Sequence, residues 1–259
     1  MVTANLRALL ASEGKPLVVP GASDALSARL IEAHGYKAVY IGSYATAASA
    51  FGMPDTGLLS LDQLAAHAKS ITSAVRVPVI ADAEAGLDSE KTVRSFEEAG
   101  VAAIHLEDHT GAGKHTDQPQ SLHPANEAAD RIRRAVAARK NPDLLIVARS
   151  DAFWVHRDLD DCIARLSLYA EAGADMVFPT LAGQRELDEV RRRIARPVMI
   201  VNNAEEAHAG AAVVLYYAFS VARTFEAIQS ALASGVLVSD TRPLERFLGY
   251  KDDPGRSRR

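Results

Sequence analysis

Short apolar runs rich in Val, Ile, Leu and Ala recur along the chain. They fall at Leu17–Val19, Ala38–Ile41, Val79–Ala81, Ala103–Leu106, Leu145–Ala148, Met176–Phe178, Val198–Val201 and Val213–Tyr216. Runs this short, β-rich and bounded by turn residues read as buried strands. Between them lie longer stretches whose apolar residues recur at three- and four-residue spacing, as in Leu61–Ala74, Thr92–Ala99, Ala125–Ala138, Cys162–Ala172 and Leu187–Ile194. That spacing predicts amphipathic helices. Strand–helix alternation implies parallel strands joined by crossover helices. Eight such units in 259 residues predict a single α/β domain, a (β/α)₈ TIM-type barrel over residues 1–250. An open doubly wound sheet is the alternative, and a polar tail is expected over 251–259.

A local device recurs in the connections. Glu32-Ala33-His34-Gly35, Glu98-Ala99-Gly100 and Glu171-Ala172-Gly173 each precede a strand. In each, the glycine is expected to end a helix in the left-handed conformation. His109–Pro124 breaks the rhythm: it is long, polar and rich in Gly, His and Lys, and a βα loop of this kind suits an active-site lid.

Composition narrows the function classes. A net charge of −4 gives no electrostatic reason to expect a nucleic-acid or anionic-membrane partner. Arg191-Arg192-Arg193 reads as a solvated helix face. No apolar run approaches the roughly 20 residues that span a bilayer. A lone cysteine, Cys162, permits no internal disulfide, which suits a cytoplasmic protein, and its place in a helical pattern marks it as a packing residue.

In a barrel, chemistry gathers at the carboxyl ends of the strands. Those ends offer Gly42, Ser43 and Tyr44, then Pro54-Asp55; Asp82 and Glu84; Glu107 and Asp108; Arg149 and Asp151; and Asn202 with Asn203. Several carboxylates sharing one cavity repel one another unless a cation intervenes, and Mg²⁺ takes oxygen ligands of this kind. Arg149 presents a planar fork suited to a substrate carboxylate, or else serves as a structural ion-pair partner. Asp82 and Asp151 also suit helix N-caps, and Glu107-Asp108 suits a barrel rim. His109, His115 and His123 are candidates for acid, base or ligand, or are solvated loop histidines. The ends of the last two strands, Asn202-Asn203-Ala204 and Tyr216-Tyr217-Ala218-Phe219, make poor phosphate cups. No strand ends in lysine, which argues against Schiff-base chemistry.

Taken together, the residues resemble the isocitrate lyase/phosphoenolpyruvate mutase superfamily over nearly the whole chain. The carriers are Val19-Pro20-Gly21-Ala22-Ser23-Asp24, Tyr40-Ile41-Gly42-Ser43, Gly52-Met53-Pro54-Asp55 and Val77-Pro78-Val79-Ile80-Ala81-Asp82. His105-Leu106-Glu107-Asp108, Ala148-Arg149-Ser150-Asp151-Ala152, Glu171-Ala172-Gly173-Ala174-Asp175 and Arg196-Pro197-Val198 complete the set. The resemblance implies a Mg²⁺-dependent barrel, with Mn²⁺ as an alternative ion. It also implies a homotetramer that exchanges its C-terminal helix between subunits, and reactions next to the enol(ate) of a small 2-oxo acid. Asp82 is then the central metal ligand, and Asp55, Glu84 and Glu107 hold metal-bound water. Ser43, Tyr44 and Arg149 bind the substrate carboxylate, with Gly42 and Asn202 completing the substrate site.

Three departures from the family pattern shape the expected activity. The second acid after the third strand is Glu84 where the family usually carries aspartate. The gating loop reads Gly111-Ala112-Gly113-Lys114-His115-Thr116 and lacks the cysteine of the Lys-x-Cys-Gly-His lyase signature. Thr180 stands where a glutamate is common. Without the cysteine, decarboxylation or related C–C cleavage of a 2-oxo or 2-hydroxy di- or tricarboxylate is the expected reaction. Tyr44 and Arg149 are catalytic candidates, and Lys114 or His115 would supply the acid. Phosphonopyruvate chemistry and a metal-binding barrel without turnover are the alternatives.

Overall fold

The structure, a computed structural model, describes residues 5–12, 16–86, 88–110, 120–181, 183–202 and 209–250. Among the described residues there are eight strands, β1 (Leu17–Pro20), β2 (Val39–Ile41), β3 (Val79–Asp82), β4 (Ala103–Glu107), β5 (Leu145–Ser150), β6 (Met176–Pro179), β7 (Met199–Val201) and β8 (Val213–Tyr216). All eight coincide with the runs read from the sequence. Several extend further at the carboxyl end, so Asp82 and Glu107 end their strands and Arg149 is the last residue but one of β5; none of the three is a loop residue.

All the pairings are parallel, in two sheets ordered β2-β3-β4-β5-β6 and β1-β8-β7. The expected continuous eight-strand ladder is therefore divided. At each seam it thins to one parallel bridge, Gly21 with Tyr40 and Val177 with Val198. Backbone bonds from Ala22 N–H to the Tyr40 carbonyl (2.8 Å) and from Val177 N–H to the Pro197 carbonyl (3.0 Å) accompany these bridges. The physical reason is proline: Pro20 ends β1, Pro179 ends β6 and Pro197 leads into β7, and none can donate to a ladder.

Side-chain alternation organises the core around both sheets. Leu17, Ile80, Leu145, Val147, Met199 and Val213 belong to one buried cluster drawn from strands of both sheets. Their neighbours Val79, Ala81, Ile104, Ile146, Val177 and Val214 belong to a second, shared with the helices. Strands buried on both faces lose the polar alternation of a surface sheet and read as continuous apolar runs.

The helices begin where the sequence supplies caps. Asp24 and Ser60 form capping boxes for Ala25–Ala33 and Leu61–Thr72, and Asp88 and Asp158 cap Ser89–Ala99 and Leu159–Glu171. Gly35, Gly100 and Gly173 all adopt positive φ after their helices, as expected. Cys162 is fully buried in Leu159–Glu171, and burial pushes its thiol up to about 12.

Contacts divide the chain into Met1–Val221 and Ala222–Arg259. The second unit holds most of helix Phe219–Ser234 and helix Arg242–Leu248. Phe225, Ile228 and Leu232 form a helical-spacing stripe that is 55–64% exposed. Among the described residues, no helix is long and apolar enough to cross a membrane.

Candidate active site

A cavity of about 340 Å³ opens at the carboxyl ends of the strands. Gly42, Ser43, Tyr44, Asp55, Asp82 and Arg149 line it, so six of the residues singled out from the sequence meet there.

Local folding explains how the acidic wall forms. Gly42 caps helix Ser43–Phe51 directly after β2. A Cβ at Gly42 would lie 2.9 Å from the Tyr40 ring, so the position requires glycine or a shifted tyrosine. Gly52 closes the helix in the left-handed conformation, and Met53 N–H returns to the Ala47 carbonyl, folding Asp55 back towards the strand ends. The Ser43 hydroxyl then lies 2.8 Å from Asp82 Oδ2 and 3.0 Å from Asp55 Oδ2. Both aspartates are buried. One hydroxyl has one proton, so it can donate to only one of these two carboxylates at a time.

Asp82 is fixed from behind as well. Glu84 N–H donates to its Oδ1 at 2.9 Å. His105, fully buried, places Nδ1 3.5 Å from the same oxygen and holds its Nε2 3.0 Å from the Tyr40 hydroxyl. His105 carries no motif of its own in the sequence; its one signal is a position two residues before Glu107, on the same side of β4.

On the adjoining wall, Arg149 is tied to Asp151. Its Nε and Nη2 donate to the two oxygens of Asp151 at 2.8 and 3.0 Å, and its Nη1 lies 3.1 Å from Glu107 Oε2. The guanidinium also sits 5.4 Å from the Phe178 ring centroid. Burial works against the charged arginine, but Asp151 and Glu107 outweigh it and hold its pKa well above the ordinary value. Burial lifts the Asp151 carboxyl, with Arg149 opposing and Glu107 reinforcing the shift. The structural ion-pair role weighed for Arg149 is thus present in the fold, on the same residue that faces the cavity.

Asp108 turns away from the cavity into a satisfied network. It accepts from the Ser150 hydroxyl (2.7 Å), the Asp151 N–H (3.0 Å) and the Tyr169 hydroxyl (2.9 Å), with Arg165 3.5 Å away. Burial, reinforced by Asp108, keeps the Tyr169 phenol protonated, as a donor must be. Asp151 precedes helix Ala152–His156 but makes no side-chain cap bond. Asp82 begins no helix, so neither aspartate serves the capping role considered for it.

The four acids expected as one metal set do not form a ready cage. Among the described residues, no group of three or more His, Cys, Asp or Glu could hold a metal ion. Asp55 and Asp82 converge on Ser43, Glu107 is drawn to Arg149, and Glu84 occupies a turn at φ +55°. Mg²⁺ characteristically accepts one or two protein carboxylates and keeps several waters. The Asp55–Asp82 pair is a donor set of that kind.

Other expected site residues lie elsewhere. Asn202 donates to the Tyr216 hydroxyl at 2.7 Å and does not line the cavity. Lys114 and His115 lie outside the described residues, as does Asn203. The described base of their loop is stapled by an antiparallel bridge between His109 and Leu122. His109 is fully buried there, with Nε2 3.2 Å from Gln120 Oε1. His123 stands 3.4 Å from Glu127 and, like His109, is not a cavity-lining residue.

The opposite wall was missed from the sequence. Phe153, Trp154, Arg157, Phe178, Leu181 and Tyr217 also line the cavity. Phe153, Trp154 and Arg157 follow β5 within a few residues of Arg149, and Trp154 is the chain's single tryptophan. That combination at a strand end was the available signal. Arg157 has φ +57°, a left-handed conformation that costs a non-glycine residue roughly 1–2 kcal/mol. Thr180, at the position where a glutamate was expected, lines the cavity too.

The family model described as phosphoenolpyruvate phosphomutase matches residues 6–236. A 2,3-dimethylmalate lyase of Eubacterium barkeri is 39% identical over 197 residues, covering 74% of this chain and 68% of that protein. A 2-methylisocitrate lyase of Salmonella typhimurium is 39% identical over 179 residues, covering 67% of this chain; the match spans only 60% of that relative's length. A crystal structure of 2,3-dimethylmalate lyase superposes with a TM-score of 0.86 at 28% identity, covering 96% of this chain and 95% of that one.

Proposed function

The chain belongs to the phosphoenolpyruvate phosphomutase family, and we propose that it is a Mg²⁺-dependent lyase or decarboxylase. Its substrate in this reading is a small 2-oxo or 2-hydroxy di- or tricarboxylate, cleaved at a carbon–carbon bond. The observation that carries this reading is the buried Asp55–Ser43–Asp82 cluster lining a cavity that also receives Arg149. Relatives named for dimethylmalate and methylisocitrate support the substrate class.

In this reading Asp55 and Asp82 hold the ion, with Glu84 and Glu107 reaching it through water. Once bound, Mg²⁺ supplies Lewis acidity where negative charge accumulates on the substrate oxygen. Ser43 and Tyr44 orient the oxo-acid end. Arg149, held rigid by Asp151, keeps positive charge at the cavity wall. Phe153, Trp154, Phe178 and Leu181 keep water from the cleaved carbon. Lys114 or His115 delivers the proton from the loop. The absence of the signature cysteine there favours decarboxylation, which removes no proton from a substrate hydroxyl.

The same reading joins the two sheets into one barrel, supported by the bridges at both seams. It assigns the exposed stripe Phe225, Ile228 and Leu232 to a second copy of the chain within a homotetramer. Phosphonopyruvate chemistry is the second reading, favoured by the matching family's own description.

Proton NMR of the purified protein tests these readings. The panel holds oxaloacetate, alkylated malates, methylisocitrate, isocitrate and phosphonopyruvate, each with Mg²⁺ and with excess EDTA. Release of pyruvate or another oxo acid that stops with EDTA is expected, and the consumed compound identifies the branch. Turnover insensitive to EDTA contradicts the metal role. Absence of turnover across the panel favours a barrel that binds without reacting.

A further inference from the structure

We propose that Arg157 binds a second carboxylate of the substrate and thereby selects diacids over monoacids. The assignment rests on the carboxylate-substrate reading above and refines it. Two guanidinium groups line the cavity, Arg149 and Arg157. Their electrostatic situations differ sharply. Arg149 is gripped bidentately by Asp151 and approached by Glu107, and both side chains are fully buried. Its single positive charge therefore faces two protein carboxylates before any substrate enters, and Asp55 and Asp82 add two more acids to the same cavity. The cation proposed for Asp55 and Asp82 answers those two acids, so a second carboxylate at the other end of the substrate still needs a cation of its own.

Arg157 is that cation among the described residues. Its side chain makes no ion pair or hydrogen bond with any of them; the contact it makes is through its backbone, whose N–H bonds to the Phe153 carbonyl at 3.0 Å. It is exposed at the cavity wall and sits in the left-handed conformation that glycine adopts more readily. A position that serves only to end helix Ala152–His156 would be better filled by glycine. An arginine there, lining the cavity together with Arg149, fits recognition of an anion. Phe153, Trp154 and Leu181 on the same wall supply the apolar surface for the carbon chain between the two carboxylates.

The variant Arg157→Gly tests this, because it removes the guanidinium and relieves the backbone at once. Wild type, R157G and R157K are titrated calorimetrically with pyruvate, which has one carboxylate, and with malate, which has two, in the presence of Mg²⁺. Thermal melting confirms that each variant folds, and R157G is expected to melt no lower than wild type. The expected result is a loss of malate affinity of about 10- to 100-fold in R157G, with pyruvate affinity changed by less than about twofold. R157K should recover part of the malate affinity. Unchanged malate binding in R157G overturns the assignment while leaving the carboxylate site standing, as does an equal loss for both ligands. Failure of the wild type to bind either ligand overturns the carboxylate-substrate reading itself, and the assignment of Arg157 with it.

Discussion

Asp55 and Asp82 on one side, and Asp108 and Asp151 on the other, are four buried aspartates at or beside the carboxyl ends of neighbouring strands. By residue type, burial and position in the chain they are hard to tell apart. Their partners separate them. Asp108 accepts from Ser150, Tyr169 and a backbone N–H beside Arg165, and Asp151 chelates the Arg149 fork. Donors and cations of the fold itself surround this pair. Asp55 and Asp82 share the Ser43 hydroxyl on a cavity wall, and Asp82 also accepts from the Glu84 N–H. The first pair is turned to the rim, and the second lines the cavity. Acidity and burial alone thus do not mark a reactive site; lining the cavity, as against pairing with Arg149 and Arg165, distinguishes the two pairs.

The largest effect expected on the structural side comes from Asp108→Asn. Weakening a buried carboxylate that organises Ser150, Tyr169 and Arg165 should destabilise the protein by roughly 3–5 kcal/mol in urea unfolding. A loss below about 1 kcal/mol would erase the contrast between the two pairs.

A second effect, confined to alkaline pH, concerns Cys162. Its thiol rises from the ordinary 9.0 to about 12 on folding, so the folded state holds this proton more tightly. The resulting stabilisation is fully present below pH 9 and is lost as the pH climbs from 9 towards 12. The slope approaches about 1.4 kcal/mol per pH unit within that window. Cys162→Ala should flatten the stability profile there relative to wild type, and equal slopes would show that the thiol stays out of the linkage.

The smallest effect sharpens the reading of the acidic turn. Glu84 occupies φ +55°, a region that aspartate tolerates better. Glu84→Asp should raise stability by a few tenths of a kcal/mol, measured by denaturant midpoint; a loss would mean that the longer side chain has a packing role in the turn.

The strands were legible in the sequence because each is an apolar run between turn residues, and most are buried on both faces. The glycines ending helices were legible because their conformation is local. Ser43, Asp55 and Asp82 were found as strand-end and loop polar residues, and the structure brings them together. The Arg149–Asp151 pair was half visible: residues two apart on an extended segment share a side. The saturation of Asp108 was not visible, since Tyr169 and Arg165 lie far along the chain on a helix that only packing brings near. Arg157 escaped notice because it sits past the end of a short helix, where sequence periodicity carries no signal. The divided ladder followed from prolines whose effect depends on which strand they face.

In the function proposed above, Asp55 and Asp82 together carry a divalent cation. The most direct test of that role is Mn²⁺ binding followed by electron paramagnetic resonance, comparing wild type with Asp82→Asn and with Asp108→Gln at a temperature where both variants remain folded. A bound ion is expected in wild type, with a loss of at least about 10-fold in affinity in D82N and retained binding in D108Q. Undiminished Mn²⁺ binding in D82N would contradict that role.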